Sequence, residues 1–368
     1  MDQSLIVVLV LVGTAVVAFE VGISSAILEI LAGIILAAVF VDLPTLDWLS
    51  FLANLGLLSL MFLVGFEVDV DRLRETWRTS VIVGVSALAA PMLGVLAVGL
   101  WHLDLPPKTA GLLAIGLSTT SLALVYQVLR ERGMLSTAAG QVILAAASVV
   151  DVLSMILLAL VMGDVGWGTA IFLIIVIPTV LGLPHLGKWI FRRYKGSLVE
   201  IELRFLMVTL IALGAMAEKI GGLHPAIVAF ALGIIMSEVM DEHQELEQKL
   251  KGVVFGLFAP VFFLYAGMQF DVRLLTPELL GITALLFVTA WGLKYFGTAL
   301  PYRLLTKESG HIAGLAFNYR LSFGVVTATV GVRSGILGQD LYAVIMMVIV
   351  GSAVVPALLL RQKPAEFE

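Results

Sequence analysis

The sequence predicts an all-α polytopic membrane protein with thirteen transmembrane helices arranged as an inverted repeat. Three observations support this prediction. Of the 368 residues, 60% are hydrophobic and only 13% are charged, against about a quarter charged in soluble domains. Apolar runs long enough to cross a bilayer follow one another along the chain. Two pairs of segments also match one another at nearly the same offset. Cysteine is absent, which excludes disulfides and thiolate metal sites.

The apolar runs define the predicted spans. They lie near residues 4–19, 23–41, 48–67, 77–101, 109–131, 138–162, 166–190, 199–218, 223–240, 252–270, 277–304, 309–334 and 339–361. The first run could be the core of a signal peptide, but it follows Met-Asp-Gln rather than a basic segment. We therefore expect it to be the first span.

Basic residues between the spans predict the orientation. Fifteen fall on one side, namely Arg72, Arg74, Arg78, Arg130, Arg132, Lys188, Arg192, Arg193, Lys195, Lys249, Lys251, Arg303, Lys307, Arg361 and Lys363. Four fall on the other side, namely Lys108, Lys219, Arg273 and Arg333. Because cytoplasmic loops carry the excess of Lys and Arg, the amino terminus is predicted outside and the carboxyl terminus in the cytoplasm.

Two pairs of matching segments indicate an internal repeat. Residues 26–35 and 226–235 are identical at five of ten positions, at an offset of 200, and residues 62–70 resemble 264–272 at an offset of 202. Seven spans separate the copies, and an odd number inverts one copy relative to the other. The predicted first repeat is 1–165 (spans 1–6), the connector is span seven in 166–195, and the second repeat is 196–368 (spans 8–13). Inverted repeats are typical of secondary transporters.

Asp151 lies in the middle of the sixth predicted span, at the depth of the bilayer centre. A carboxylate at that depth is costly to ionise, and such residues commonly mark ion or proton pathways. Ser148 and Ser154 lie three residues to either side on nearly the same helix face and are further candidate ligands. The alternative is an Asp held permanently in a structural ion pair.

Polar clusters interrupt two spans. Span five contains Ser118, Thr119, Thr120 and Ser121, and adding about 202 leads to the polar stretch 318–324 of span twelve. We predict that both helices are broken, since inverted-repeat transporters commonly bind ions where discontinuous helices meet. In the alternative, the hydroxyls bond to carbonyls one turn back in continuous helices.

Other ionic groups also fall within the spans. Lys294 in span eleven and Arg320 in span twelve could balance the carbonyl ends of broken helices or Asp151 itself. Glu202 and Arg204 open span eight about 200° apart, so they are expected to interact with other groups rather than with each other. With Glu29 of span two, they are candidate structural or gating groups.

Several segments in order resemble one family. They are Glu29–Leu36, Leu55–Asp69, Ser118–Ala123, the Asp151 span, His224–Gly233 and Phe262–Met268. This pattern is similar to the monovalent cation:proton antiporters, in the branch that includes Kef-type and sodium/proton exchangers. The resemblance implies a homodimer with two crossing broken helices, in which a core domain (spans 4–6 and 11–13) moves like an elevator against a dimerisation domain (spans 1–3 and 8–10). It also implies that Asp151 binds the ion, that Thr120 and Ser121 belong to the first broken helix, and that Lys294 is the basic residue beside the crossing.

One position departs from the family. Many relatives carry an acidic or polar residue just before the essential Asp, where this chain has Val150. Since Val cannot carry a second proton, we expect electroneutral exchange of Na+ or K+ for H+, with the two ligands competing for Asp151. The alternatives are a cation-coupled symporter of an organic solute and a channel-like membrane component. The sequence does not choose between Na+, K+ and Li+.

The remaining expectations concern partners and location. We expect no enzymatic activity, no cofactor, no metal beyond the transported monovalent cation, and no nucleic-acid partner, since the glycines form no nucleotide-binding pattern. Membrane lipid is expected around the spans, in the inner membrane of a bacterium or archaeon. Kef-type relatives often carry a regulatory domain after the last span. Either this protein lacks such a domain or the sequence stops before it, so a regulatory domain or subunit on the cytoplasmic side is a candidate partner. The acidic stretch 241–247 predicts a solvated helix face, with His243 as a candidate pH sensor.

Overall fold

A computed structural model describes residues 3–21, 24–39, 46–67, 76–135, 137–163, 182–183, 185–194, 199–221, 224–241 and 244–360. Every regular element within these ranges is helical. The helices are α1 (Gln3–Val21), α2 (Ser25–Val39), α3 (Asp47–Phe66), α4 (Trp77–Ala97), α5 (Pro107–Gly116), α6 (Leu122–Glu131), α7 (Ala138–Met162), α8 (Ile201–Met216), α9 (Pro225–Asp241), α10 (Gln244–Val253), α11 (Ala259–Met268), α12 (Pro277–Thr306), α13 (His311–Ala316), α14 (Leu321–Arg333) and α15 (Gln339–Leu360). Short π-helical turns extend α4, α8 and α10 at Val98–His102, Ala217–Gly221 and Val254–Phe258.

The helices follow the apolar runs of the sequence closely. Seven helical segments of the described part are long and apolar enough to cross a bilayer, and they make this an integral membrane protein. α7 begins and ends at the predicted residues, Ala138 and Met162. Most of the predicted connector span lies outside the described residues. The residues His243, Asp69, Arg72, Arg74, Lys195, Arg361 and Lys363 also lie outside them.

The chain packs into two compact units. The first comprises Met1–Glu20, Leu28–Val68 and Met155–Gln269, and the second comprises Val21–Ile27, Asp69–Ser154 and Phe270–Glu368. The first unit contains most of α1 and α2, together with α3 and α8 to α11. The second contains α4 to α6, the first two thirds of α7, and α12 to α15. All the candidate ion ligands belong to the second unit.

Glycines bring helix backbones into contact in the first unit. A Cβ on Gly33 of α2 would lie 2.1 Å from the carbonyl oxygen of Leu264 and 3.0 Å from Cα of Gly267 in α11. A Cβ on Gly65 of α3 would lie 2.0 Å from the carbonyl oxygen of Phe230 in α9, close to Gly233. The first pair joins residues 33 and 267, and the second joins 233 and 65. The internal repeat relates the two pairs. Residue 233 is the counterpart of residue 33 at an offset of 200, and residue 267 is the counterpart of residue 65 at an offset of 202.

The second unit is built on a long contact between α4 and α12. Gly94 of α4 lies against Leu293 of α12, and Gly297 of α12 lies against Ala90 of α4, so each helix supplies a glycine at the crossing. Gly84 of α4 faces the backbone of α7, because a Cβ there would lie 2.7 Å from the carbonyl oxygen of Ala146. These small residues allow close helix approach, as they do in membrane interiors generally. α4 thereby holds α7 and α12 beside each other.

Two of the predicted spans are interrupted. α5 ends at Gly116 and α6 begins at Leu122, while α13 ends at Ala316 and α14 begins at Leu321. The prediction of broken helices is therefore confirmed, and the alternative of continuous helices is wrong. Each interruption falls where polar residues replace an apolar run, and it exposes backbone groups that a continuous helix would pair internally.

Candidate functional site

The two interruptions bond directly to each other. The backbone N–H of Ser121 donates to the carbonyl oxygen of Tyr319 at 2.6 Å, and the Thr120 hydroxyl donates to the carbonyl oxygen of Phe317 at 3.3 Å. The hydroxyls of Ser121 and Ser322 lie 3.0 Å apart. Backbone groups released by one broken helix are thus satisfied by the other, as buried polar groups require.

Lys294 brings a cation to the first interruption. Its side chain is fully buried, and its Nζ donates a hydrogen bond to the carbonyl oxygen of Ser118, just beyond the end of α5. The ammonium also lies 5.9 Å from the ring centre of Phe317 in the second interruption. Since the carboxyl end of a helix carries partial negative charge, the ammonium compensates the end of α5. A charge-balancing role for Lys294 at this helix end stays a prediction.

Arg320 forms hydrogen bonds at the second interruption. Its Nη2 donates to the carbonyl oxygen of Ala290 in α12 at 2.7 Å and to Oδ1 of Asn318 at 2.8 Å. The Asn318 amide in turn donates to the carbonyl oxygen of Gly314, one turn back in α13, at 3.0 Å. Within the described residues, Nε and Nη1 of Arg320 have no hydrogen-bond partner. The guanidinium therefore links α12 to the second interruption, and its Nε and Nη1 remain available as hydrogen-bond donors.

Asp151 occupies the middle of α7 with 1% of its surface exposed. It belongs to the same compact unit as the buried residues Lys294 and Arg320. Ser148 and Ser154 are buried beside it in the same helix, and the Ser148 hydroxyl donates to the carbonyl oxygen of Leu144 at 3.2 Å. The structure therefore groups an acid, two cations and several hydroxyls within one unit, although the sequence spreads them over residues 118 to 322.

The other predicted ionic groups do not join this cluster. Glu29 of α2 and Glu202 of α8 are buried, while Arg204 of α8 is exposed, and all three belong to the first unit. They remain candidates for a structural or gating role.

Two contributors to the cluster were absent from the predicted site. Ser322 pairs with Ser121, and Asn318 holds the guanidinium of Arg320. The sequence did carry a signal for Ser322, because it follows Ser121 by 201 residues, which falls within the repeat offsets. The sequence did not indicate that Arg320 bonds to the Ala290 carbonyl, because every residue has a backbone carbonyl whatever its side chain.

The chemistry of the cluster is that of a hard-cation site. A carboxylate, hydroxyls and released carbonyls are oxygen ligands, which suit small hard cations rather than soft metals. Across the described residues, no group of three or more His, Cys, Asp or Glu side chains could hold a resident metal ion. Broken helices in a helical membrane protein, with one buried acid and two compensating cations, define an ion transporter.

Comparison with known proteins identifies the family. The chain matches the family "sodium/hydrogen exchanger, transmembrane" over residues 6–361 and belongs to it. It is therefore a transporter of the monovalent cation:proton antiporter superfamily and not an enzyme.

Two relatives and one solved structure illustrate the similarity. A probable Na+/H+ antiporter 3 from Methanocaldococcus jannaschii is 29% identical over 350 residues, covering 90% of this chain and 88% of that protein. The Na+/H+-K+ antiporter GerN from Bacillus cereus is 26% identical, with coverage of 90% and 88%. The fold resembles that of the sodium proton antiporter MjNhaP1 from Methanocaldococcus jannaschii at pH 8, with a TM-score of 0.69 and 14% identity, covering 96% of this chain and 95% of that one.

Proposed function

We propose that this protein exchanges a monovalent cation, Na+ or K+, for H+, with Asp151 as the carboxylate that both ligands use in turn. The observation that carries the proposal is the cluster in the second unit. There, the buried Asp151 belongs to the same compact unit as a buried lysine that is hydrogen-bonded to a broken helix. The relatives named as Na+/H+ and Na+/H+-K+ antiporters support the choice of ligands.

The proposed ligands of the cation are oxygen atoms of this cluster. They are the carboxylate of Asp151, the hydroxyls of Thr119, Thr120, Ser121, Ser148 and Ser154, and carbonyls near the first interruption. The hydroxyls of Thr119 and Thr120 donate to the carbonyls of Gly116 and Phe317, so their oxygen lone pairs are open to a cation. Water completes the shell.

The cycle follows from the cost of a bare buried charge. Asp151 facing one side releases a proton, binds a cation and becomes neutral overall, and only then does the site face the other side. When Asp151 is empty and ionised, turning the site to the other side of the membrane costs too much free energy. The site therefore turns only with a cation or a proton bound, and the two ligands cross in opposite directions. With Val150 beside Asp151, one proton exchanges for one cation and transport is electroneutral.

The architecture behind this cycle is a thirteen-helix inverted repeat. The reciprocal glycine pairs Gly33 with Gly267, and Gly65 with Gly233, support it, as does the paired Ser121 and Ser322. We assign spans 4–6 and 11–13 to a moving core and spans 1–3 and 8–10 to a static dimerisation domain. The two compact units support this division.

The protein is proposed to act as a homodimer in the inner membrane of a bacterium or archaeon, with its amino terminus outside and its carboxyl terminus in the cytoplasm. α1 leaves a row of apolar side chains exposed, including Val8, Val12 and Phe19, which suits lipid or a second copy. A cytoplasmic regulatory domain or subunit remains part of the proposal.

The test is dissipation of a pH gradient in proteoliposomes, with Na+, K+ and Li+ added separately. The wild type is expected to respond to Na+ or K+, and Asp151→Asn to none of them. Glu278→Gln is the matched control, because that carboxylate is exposed in the first turn of α12. Cation-driven dissipation by Asp151→Asn equal to wild type would overturn the proposal in favour of a channel-like component. Dependence on an added organic solute would favour symport.

A further inference from the structure

A hydroxyl that binds a cation through its oxygen must direct its hydrogen at another acceptor. Thr119, Thr120 and Ser148 meet this requirement by donating to carbonyl oxygens at 3.2 to 3.3 Å. A carbonyl can only accept, so the direction of these hydroxyls is fixed. Ser121 differs, because its hydroxyl faces another hydroxyl, that of Ser322, at 3.0 Å. Either oxygen of this pair can be the donor.

The surrounding backbone holds the two serines together. Ser121 immediately precedes α6, Ser322 lies in the first turn of α14, and the 2.6 Å bond from the Ser121 N–H to the Tyr319 carbonyl fixes one interruption against the other. Ser121 is buried, whereas Ser322 is half-buried. Ser121 is the N-cap residue of α6, but its side chain makes no capping hydrogen bond.

We propose that Ser322 is a positioning residue that sets the direction of the Ser121 hydroxyl and thereby the affinity of the site for the cation. When the cation is bound, Ser121 donates its hydrogen to Ser322 and presents its lone pairs to the cation. When the cation has left and Asp151 carries the proton, the hydrogen bond can reverse, and Ser121 accepts from Ser322. Ser322 acts through Ser121 and does not itself touch the cation.

This inference rests on the proposed function and assigns a role outside the predicted ligand set. A fixed acceptor would favour the cation-bound arrangement throughout the cycle, whereas the Ser322 hydroxyl can accept from Ser121 in one arrangement and donate to it in the other. Reversal of one hydrogen bond moves no heavy atom. The pair can therefore follow the exchange of cation for proton at little cost.

The experiment compares Ser322→Ala and Ser322→Thr in proteoliposomes. Ser322→Ala removes the acceptor, so the cation KM is expected to rise about 3- to 10-fold, the loss of one hydrogen bond, while the maximal rate stays within about 2-fold of wild type. Ser322→Thr keeps a hydroxyl and is expected to restore the KM. Ser334→Ala at the far end of α14 is the matched control, because this serine is exposed and its hydroxyl donates to the Gly331 carbonyl one turn back in the same helix.

A merely structural role would lower the maximal rate and would not be rescued in KM by Thr. An unchanged KM in Ser322→Ala, or a lower maximal rate at unchanged KM, would overturn the inference. Asp151→Asn in the same preparation keeps the two proposals distinguishable. If Ser322→Ala behaves as wild type while Asp151→Asn is inactive, only the role of Ser322 is rejected.

Discussion

The ammonium of Lys294 is bonded to the carbonyl oxygen of Ser118, a residue 176 positions earlier in the chain. This bond joins α12 to the end of α5 at the first interruption, and both residues are fully buried. A carbonyl released by a broken helix needs a donor, and a buried ammonium needs an acceptor, so each satisfies the other. The site therefore depends on Lys294 for its shape as well as its charge.

Lys294→Met is expected to lower both stability and exchange. It leaves the Ser118 carbonyl unpaired and removes a cation that balances the end of α5, a loss of about 1 to 3 kcal/mol. Lys294→Arg should retain most of the stability, because it keeps the charge and the donor. Melting followed by tryptophan fluorescence measures this, with the six tryptophans as reporters.

Lys307→Met is the control for that experiment, since Lys307 is exposed at the end of the same helix. It should melt within about one degree of wild type, as surface substitutions usually do. A Lys294→Met protein as stable as this control would show that the Ser118 carbonyl finds another donor.

The cation KM is expected to depend on pH in one direction. If proton and cation compete for Asp151, acidification protonates the carboxylate and raises the apparent cation KM, approaching about 10-fold per pH unit on the acid side. The maximal rate at saturating cation should change less. Initial rates over a matrix of pH and cation concentration, at equal pH on both sides, test this. A cation KM independent of pH would mean that the two ligands occupy separate groups.

Much of this fold could be predicted because the membrane limits the choices. Apolar runs must be helices in a bilayer, so length and composition fixed α7 to the residue. The breaks were also predictable, because Ser118 to Ser121 and the stretch beginning at Asn318 are polar where lipid-facing helices are apolar. A buried Asp151 followed from its depth alone.

The partners of these residues could not be predicted. Lys294 could have faced Asp151 or a helix end, and the packing of α12 against α4 decides which carbonyl its amine reaches. Arg320 bonds to the Ala290 carbonyl, and backbone acceptors are the same at every residue. The repeated glycines were visible as a sequence match, but the contact between Gly33 and Gly267 depends on how the helices cross.

Gly33→Ala is expected to destabilise the first unit. Its Cβ would lie 2.1 Å from the Leu264 carbonyl oxygen and 3.0 Å from the Gly267 Cα, so two backbones must separate at a cost of about 1 to 3 kcal/mol. Gly13→Ala in α1 is the matched control, because a Cβ there has nothing within 4 Å, and Ala favours the helix by about 0.5 to 1 kcal/mol. Apparent melting temperatures should move in opposite directions. If both variants melt alike, α2 and α11 are not locked at this crossing.

The exchange rate should not respond to membrane potential. In the proposed cycle, Asp151 carries one proton or one cation in each direction, and Val150 beside it offers no second titrating group. Rates of Na+-driven proton release, with the potential set by a gradient of the permeant anion thiocyanate in the absence of K+, should be equal at zero and at about 100 mV, although one net charge would gain about 2.3 kcal/mol from that field. Val150→Asp supplies a second carboxylate and is expected to make the rate depend on potential. Potential-dependent exchange by the wild type would instead require a second proton carrier. Lys294 is the candidate, because a buried lysine can give up its proton, and the Lys294→Arg variant would then be expected to lose the dependence.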